Sequence, residues 1–337
     1  MMTRKITLWL VFYLILYLPG QSQDIHFSQF GFSPVNLNPA LTGVFNGDFR
    51  FGGIYRSQWE AVPIPYTTLS GSFDARLLPQ STGSNVLGAG LLFNFDRAGD
   101  SELTTINIGG SLAYSLKISQ KFFMSAGALI AYSQRRFTTE NLTFDQQFNG
   151  DQFVPTLPTG ENFPGMSFGF IDLGAGLNWR YQQSKRTKAD LGVALFHINK
   201  PAQSFFDDDD VKLARKLTLN FQGSIKITNT LDLMPGFLYQ KQNTYRETVL
   251  GSSIRYHLNQ SKGRETALLL GGWSRLKDAL IISAGLEYKN LRLGMSYDIN
   301  TSDFNVATNN RGGPEIGLLY IITKVKDPGE YNSCPIF

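Results

Sequence analysis

Leu291 to Asn300 reads LRLGMSYDIN, and every second residue is apolar: Leu291, Leu293, Met295, Tyr297 and Ile299. The intervening positions are Arg292, Gly294, Ser296, Asp298 and Asn300. Leu217 to Ile227, Ile106 to Ile118 and Ile171 to Tyr181 repeat the pattern. Side chains of a β-strand alternate between the two faces of a sheet, so each segment predicts a strand with one greasy and one polar face. A soluble sandwich hides its greasy faces against each other, whereas a membrane barrel turns them toward lipid. Length separates the two. Sandwich strands average near six residues, while a tilted strand crossing a bilayer needs roughly 9–11. These segments run to ten residues or more. They predict an all-β, antiparallel transmembrane barrel of the outer-membrane kind, closed because lipid satisfies no open sheet edge.

Fourteen such segments are expected, near 48–59, 66–77, 86–96, 102–118, 121–134, 168–182, 188–198, 213–227, 230–241, 244–258, 264–274, 278–288, 290–299 and 313–322. An even number brings both ends of the barrel to one side, expected to be the periplasm. The connections sort into a mostly short set (119–120, 228–229, 259–263, 289–290) and a set holding the long ones, 135–167, 199–212 and 300–312. Short periplasmic turns and longer outer loops are the usual asymmetry. Tyr and Trp near strand ends (Trp59, Tyr66, Tyr132, Trp179, Tyr181, Tyr256, Trp273, Tyr288, Tyr297) suit the headgroup level. The inward face is expected to carry Arg50, Arg56, Asp74, Arg76, Lys117, Asp172, Arg180, Asp190, Glu247, Arg255, Glu287, Arg292, Asp298 and Glu315. That mixture of signs implies ion pairs across a wet lumen rather than an ion-selecting ring.

The N-terminus has the form of an export signal. Arg4 and Lys5 precede an apolar run, Ile6 to Leu18, with small residues at Gly20 and Ser22. The run is too short to span a bilayer. The expected organisation is a signal peptide over 1–22, a periplasmic lead-in over 23–47, the barrel over 48–322 and a periplasmic tail over 323–337. The single cysteine, Cys334, excludes an intrachain disulfide and a cysteine-based zinc site. Its CPIF setting imitates a prenylation box, which an exported chain would not use. A net charge of +4, spread along the chain, gives no nucleic-acid footprint.

Residues that could carry catalysis are few. His26, His197 and His257 have no metal-ligand spacing, and no catalytic, metal or cofactor site is expected. The run FFDDDD (Phe205 to Asp210) lacks the spaced ligands and turn glycine of a calcium loop and reads as a solvated outer loop. The segment 135–167 is richer, with Phe144, Phe148, Asp151, Phe153, Pro155, Pro158 and Pro164. A loop of that length is functional or disordered, and its aromatics oppose disorder. A partner-docking cap and a plain cover over the barrel mouth both remain open.

QDIHFSQFGFSPVNLNPALTG (Gln23 to Gly43), GGIYRSQWEAVPIPYTTLSGSFD (Gly52 to Asp74), GMSYDIN, GPEIGLLYI and the closing CPIF occur in that order. Together they resemble the PorP/SprF family, outer-membrane proteins associated with type IX secretion in Bacteroidetes. The family-motif positions are Asn36, Asn38, Pro39, Cys334, Pro335 and Phe337, and Ile336 departs from the basic residue expected in the ending. The resemblance implies a non-enzymatic barrel that works with a secreted partner, a large adhesin or other sorting-domain substrate, as in gliding motility. Periplasmic, peptidoglycan-binding secretion components are also implied. Prolines cannot donate to a β-ladder, so the 23–43 segment should pack along the inner wall or base of the barrel, with Asn36 and Asn38 fixing its turns. The polar inner faces also permit a diffusion porin. A hydrophobic-solute transporter, its barrel plugged by the N-terminal segment, would need a lateral opening or an apolar lumen track, and the inward faces look too polar for it.

Overall fold

The computed structural model describes residues 24–58, 66–77, 85–140, 142–163, 165–206, 208–302 and 311–323. Its strands are Phe49–Gln58 (β1), Tyr66–Arg76 (β2), Val86–Ala98 (β3), Leu103–Lys117 (β4), Phe122–Arg136 (β5), Ser167–Gln182 (β6) and Lys188–Phe196 (β7). The second half adds Lys216–Lys226 (β8), Leu231–Gln242 (β9), Tyr245–Asn259 (β10), Thr266–Arg275 (β11), Ala279–Tyr288 (β12), Leu291–Asn300 (β13) and Arg311–Ile322 (β14). Each strand pairs antiparallel with its chain neighbours. β1 pairs with β14, from Phe49 opposite Ile322 to Arg56 opposite Glu315, and closes the ring. The fourteen segments expected from the period of two are the fourteen strands found.

One boundary moved. The alternation carries the seventh strand to residue 198 and starts the eighth at 213, but β7 ends at Phe196 and β8 begins at Lys216. His197 and Lys200 take positive φ values of 55° and 46°, which no strand accommodates. The chain turns there, and Asn199 carries on the pairing with its side chain. Its Nδ2 donates to Ile171 O and its Oδ1 accepts from Leu173 N.

The outer surface is apolar along every alternating face. Ile108, Leu112, Ile130, Leu173, Leu270, Ile282, Met295 and Ile316 all point away from the lumen and are exposed. Tyr132, Trp179, Tyr256, Tyr288 and Tyr297 share that outward face. Trp273 does not. On β11 the inward positions are the odd ones, ending in buried Arg275, so Trp273 faces the lumen and packs edge-on against Phe30 at 5.8 Å between centroids. Trp59 lies outside the described residues. No helix among the described residues is long and apolar enough to cross a membrane.

Leu270, 66 % exposed in the middle of β11, tests which face meets lipid. Leu270→Arg should destabilise the barrel by about 2–4 kcal/mol in urea unfolding from lipid vesicles. A polar replacement of lumenal Ser283 on β12, which stands opposite Gly271, should have little effect.

Candidate functional site: the filled lumen

The segment before β1 lies inside the barrel. It is built from a 3-10 turn at Phe30–Phe32, one turn of α-helix at Pro34–Leu37 and a second 3-10 turn at Pro39–Leu41. Pro34 and Pro39 open the second and third of these turns, where a missing N–H costs nothing. The Asn38 carboxamide caps the third by accepting from Ala40 N at 2.9 Å, while its Nδ2 donates to Leu177 O on β6 at 2.9 Å. Asn36 reaches the wall on the other side, donating to Ser70 on β2 and Asn94 on β3. The sequence places this segment along the inner wall or beneath the barrel; the contacts settle on the interior. Gly43 and Val44 meet Asp74 and Arg180 near the short connections, whereas Asp24 meets His197 and Lys216 at the long-loop end. The lead-in is therefore a plug running nearly the height of the lumen, not a segment below it.

Two kinds of packing hold the plug. Phe30, Leu37 and Leu41 bury themselves against inward-facing Leu238, Val249, Ile281 and Trp273, and Val35 does so against Leu92, Leu129, Ala194 and Phe196. A fully buried side chain of this size contributes roughly 1.5–3 kcal/mol. The inner face is thus less uniformly polar than the alternation suggests. At Gly127 a Cβ would stand 2.5 Å from Pro39 O, and at Gly88 one would stand 2.4 Å from Thr42 O. Only glycine lets the plug backbone approach the wall so closely.

The second kind is charge. Asp298 on β13 receives Arg56 from β1 and Arg275 from β11, each at 2.9 Å, together with the plug hydroxyl of Ser28 at 2.7 Å. Arg275 also pairs with Glu247 on β10 at 2.9 Å and donates to Ser28 Oγ. Glu315 on β14 accepts from the plug amides of Ser28 and Gln29 at 2.9 and 2.6 Å. Arg56 donates to the plug carbonyl of His26 at 2.7 Å. Nearer the short connections Arg50 pairs with Asp74, Arg180 with Asp190, and Arg292 and Arg255 with Glu287. Asp232 gathers Arg186, Arg255 and His257. The inward charges expected from sequence are found facing the lumen, except that Lys117 projects into solvent at its strand end. Sequence reasoning passed over Arg275 and Asp232, each at the last or first turn of alternation, where the face is ambiguous from pattern alone.

His197 latches the plug's far end. Its Nε2 lies 2.7 Å from Asp24 and its Nδ1 2.9 Å from Asp172, while Lys216 stands 2.7 Å from Asp24. Burial pulls the imidazole down, yet the two carboxylates outweigh it and push its pKa up to about 9. Burial likewise opposes ionisation of Asp24, but His197 and Lys216 hold its carboxyl well below the usual range.

The long loops form a crown at the same end. In 137–166 a 3-10 turn at Asp145–Gln147 buries the Gln147 amide, which accepts from Phe144 N and donates to Pro155 O and Leu157 O. Phe144 packs on Phe163, Phe163 on Phe137, and Phe137 on Phe205 of the neighbouring loop. Phe144 is thus part of the crown's own packing. Phe148 and Phe153 pair across a short bridge, remain 55 % and 41 % exposed, and flank exposed Asp151. Asp208, Asp209 and Asp210 are exposed, and no cluster of metal-ligating side chains occurs among the described residues. Asp207, Pro164, the 1–22 segment and the tail with Cys334, Pro335, Ile336 and Phe337 lie outside the described residues.

A closed ring of fourteen strands, greasy outside and filled by its own N-terminal segment, defines an outer-membrane β-barrel with an internal plug. The chain belongs to the PorP/SprF family, type IX secretion system membrane proteins, whose model matches residues 20–320. No curated protein matches the sequence. Among solved structures it is similar to the Ralstonia pickettii toluene transporter TbuX, at 11 % identity and a TM-score of 0.49 over 86 % of this chain and 93 % of that one. The P. putida toluene transporter TodX gives 10 % identity and a TM-score of 0.48, over 86 % and 93 %. A Pseudomonas aeruginosa FadL homologue gives 10 % and 0.46, over 84 % and 91 %.

Two outcomes test the plug. Gly127→Val should unseat it and convert a closed barrel into a conducting one in planar bilayers, as should removal of residues 24–43. The His197 latch has a defined pH window. Because the folded pKa of about 9 lies above the ordinary value near 6.5, its stabilisation is complete below about pH 6.5 and lost as pH rises through about 9. The stability difference between wild type and His197→Gln in urea should be largest at pH 6 and shrink toward pH 10.

Proposed function

We propose that this barrel is a non-enzymatic accessory of type IX secretion that engages a secreted, sorting-domain-bearing partner, such as a large adhesin, at its long-loop end. Family membership supports the secretion role. The observation that carries the rest is the plug: residues 24–44 cross the lumen and are fastened at Asp298, Glu315, Ser111 and Asp74, in the path of any polypeptide threading this barrel. The secreted chain would then pass elsewhere and meet this protein at its crown. There Phe148, Asp151 and Phe153 offer two exposed aromatic rings beside a carboxylate on a loop held by its own packing. Aromatic anchors surrounded by polar rims are the usual makings of an interface hot spot. The short-connection end would face the periplasm, where cell-wall-binding secretion components could dock. The same plug opposes a general diffusion porin.

Deleting the gene and comparing surface-exposed proteins tests this reading. Loss of one sorting-domain protein identifies a dedicated partner, and loss of many identifies a general machinery role. An unchanged surface contradicts the proposal. With Phe148→Ser and Phe153→Ser combined, a correctly inserted barrel should lower the surface level of the affected protein at least tenfold.

A further inference from the structure

Above the plug, the long-loop end of the lumen holds a cavity of about 660 Å³, within the roughly 300–1,000 Å³ of pockets that bind small ligands. One wall is ordered by strand register. Thr68, Asp96, Thr105 and Arg135 stand directly opposite one another on β2, β3, β4 and β5, forming a row across the inner face. The row below consists of Ser70, Asn94, Asn107 and Ser133, again in register. That lower row is satisfied internally: Asn94 bonds Asn36 of the plug, and Asn107 donates to Ser133 at 2.7 Å.

The upper row is not. Asp96 accepts from Thr68 Oγ1 at 2.6 Å, and Arg135 donates from one terminal nitrogen to Gln203 at 2.5 Å. Neither makes an ion pair with a described residue, and Arg135 Nε is buried without a hydrogen-bond partner among them. The charged groups deeper in the lumen, by contrast, are tied into pairs and triads. Buried charges are normally paired, and here a carboxylate and a guanidinium face one cavity with bonding capacity that the described residues leave unused. The remaining walls bring Phe170, Phe196, Leu92 and Leu129 to the same cavity.

We propose that this vestibule binds the carboxylate end of a peptide. The carboxylate would lie on Arg135, whose planar fork suits it. Asp96 and Thr105 would take main-chain N–H groups or a free amino terminus, and an apolar side chain would rest on Phe170 and Phe196. Asp96 and Arg135 lie two strands apart, roughly 9–10 Å between backbones, a span that two or three extended residues cover at about 3.3–3.6 Å each. The chemistry fits both a free short peptide and the C-terminal end of a protein. The site is argued from the vestibule's own residues and does not rest on the exposed aromatic pair of the crown.

The test is calorimetric titration of the full-length barrel in detergent with the tripeptide Leu-Phe-Leu in three forms: free, N-acetylated and C-amidated. The free and acetylated forms should bind, and amidation should weaken binding at least tenfold. Arg135→Gln should remove that distinction, and Arg135→Lys should restore part of it. Retention by the acetylated form points to a protein end. Binding of the free form alone, lost in Asp96→Asn, points to free peptides. Heat-modifiable mobility confirms that each variant is folded. Equal binding of acid and amide, no binding of any form, or unchanged binding by folded Arg135→Gln would overturn the proposal.

Discussion

The carboxylate of Asp298 is buried in the barrel wall, and two guanidiniums from other strands converge on it with a hydroxyl from the plug. A charge removed from water costs several kcal/mol unless it is paired and its remaining lone pairs are satisfied. In a closed ring the inward face has no edge through which to find partners, so strands distant in sequence must supply them at the right height. Arg56 comes from β1, Arg275 from β11, Asp298 from β13 and Glu315 from β14. Their arrangement is incomplete without the Ser28 and Gln29 groups that cap the two carboxylates. Barrel and plug thus share one charge network, and a strand slipped by one residue would turn Asp298 or Arg275 toward lipid and leave its partner alone.

This coupling also explains which features the sequence discloses. The lipid-facing pattern is local, because every outward residue obeys the same rule whatever its neighbours. Leu293, Met295 and Tyr297 announce β13 by themselves. The plug obeys no such period. Its residues are set by the shape of the interior, with Pro34 and Pro39 opening turns and Asn38 reaching a carbonyl 139 positions away. Its prolines and asparagines reveal that it is neither helix nor strand, but nothing local says whether it lies under the barrel or within it. A hint was present in strands apolar on both faces. Leu238, Val249 and Ile281 face a lumen that would be wet were it empty, and they face Phe30, Leu37 and Leu41 instead. Trp273 misleads for the same reason, since an aromatic near a strand end serves a plug as readily as a headgroup layer.

The two ends of the molecule differ in kind. Short, tight connections close one end, beside Arg50–Asp74 and Arg180–Asp190. At the other, long loops build a crown around a polar vestibule whose floor is the plug. Of the candidate partner-binding positions, Phe144 is used for internal packing, whereas Phe148, Asp151 and Phe153 face outward. Aromatic content alone cannot sort those roles, because a ring that braces a loop and one that awaits a partner look alike in sequence. The filled lumen is the observation on which the proposed reading rests, recognition at the rim in place of transport through the barrel.

The decisive measurement is a disulfide trap between plug and wall. Thr42 Oγ1 and Ser111 Oγ lie 2.6 Å apart inside the lumen, so cysteines at these two positions, in a Cys334→Ser background, put two sulfur atoms within bonding reach. In membranes the account predicts near-complete linkage on mild oxidation, read as a 42–111 cross-linked peptide by mass spectrometry. A folded, inserted barrel in which the two thiols stay unlinked and both react freely with a bulky membrane-impermeant maleimide would contradict it.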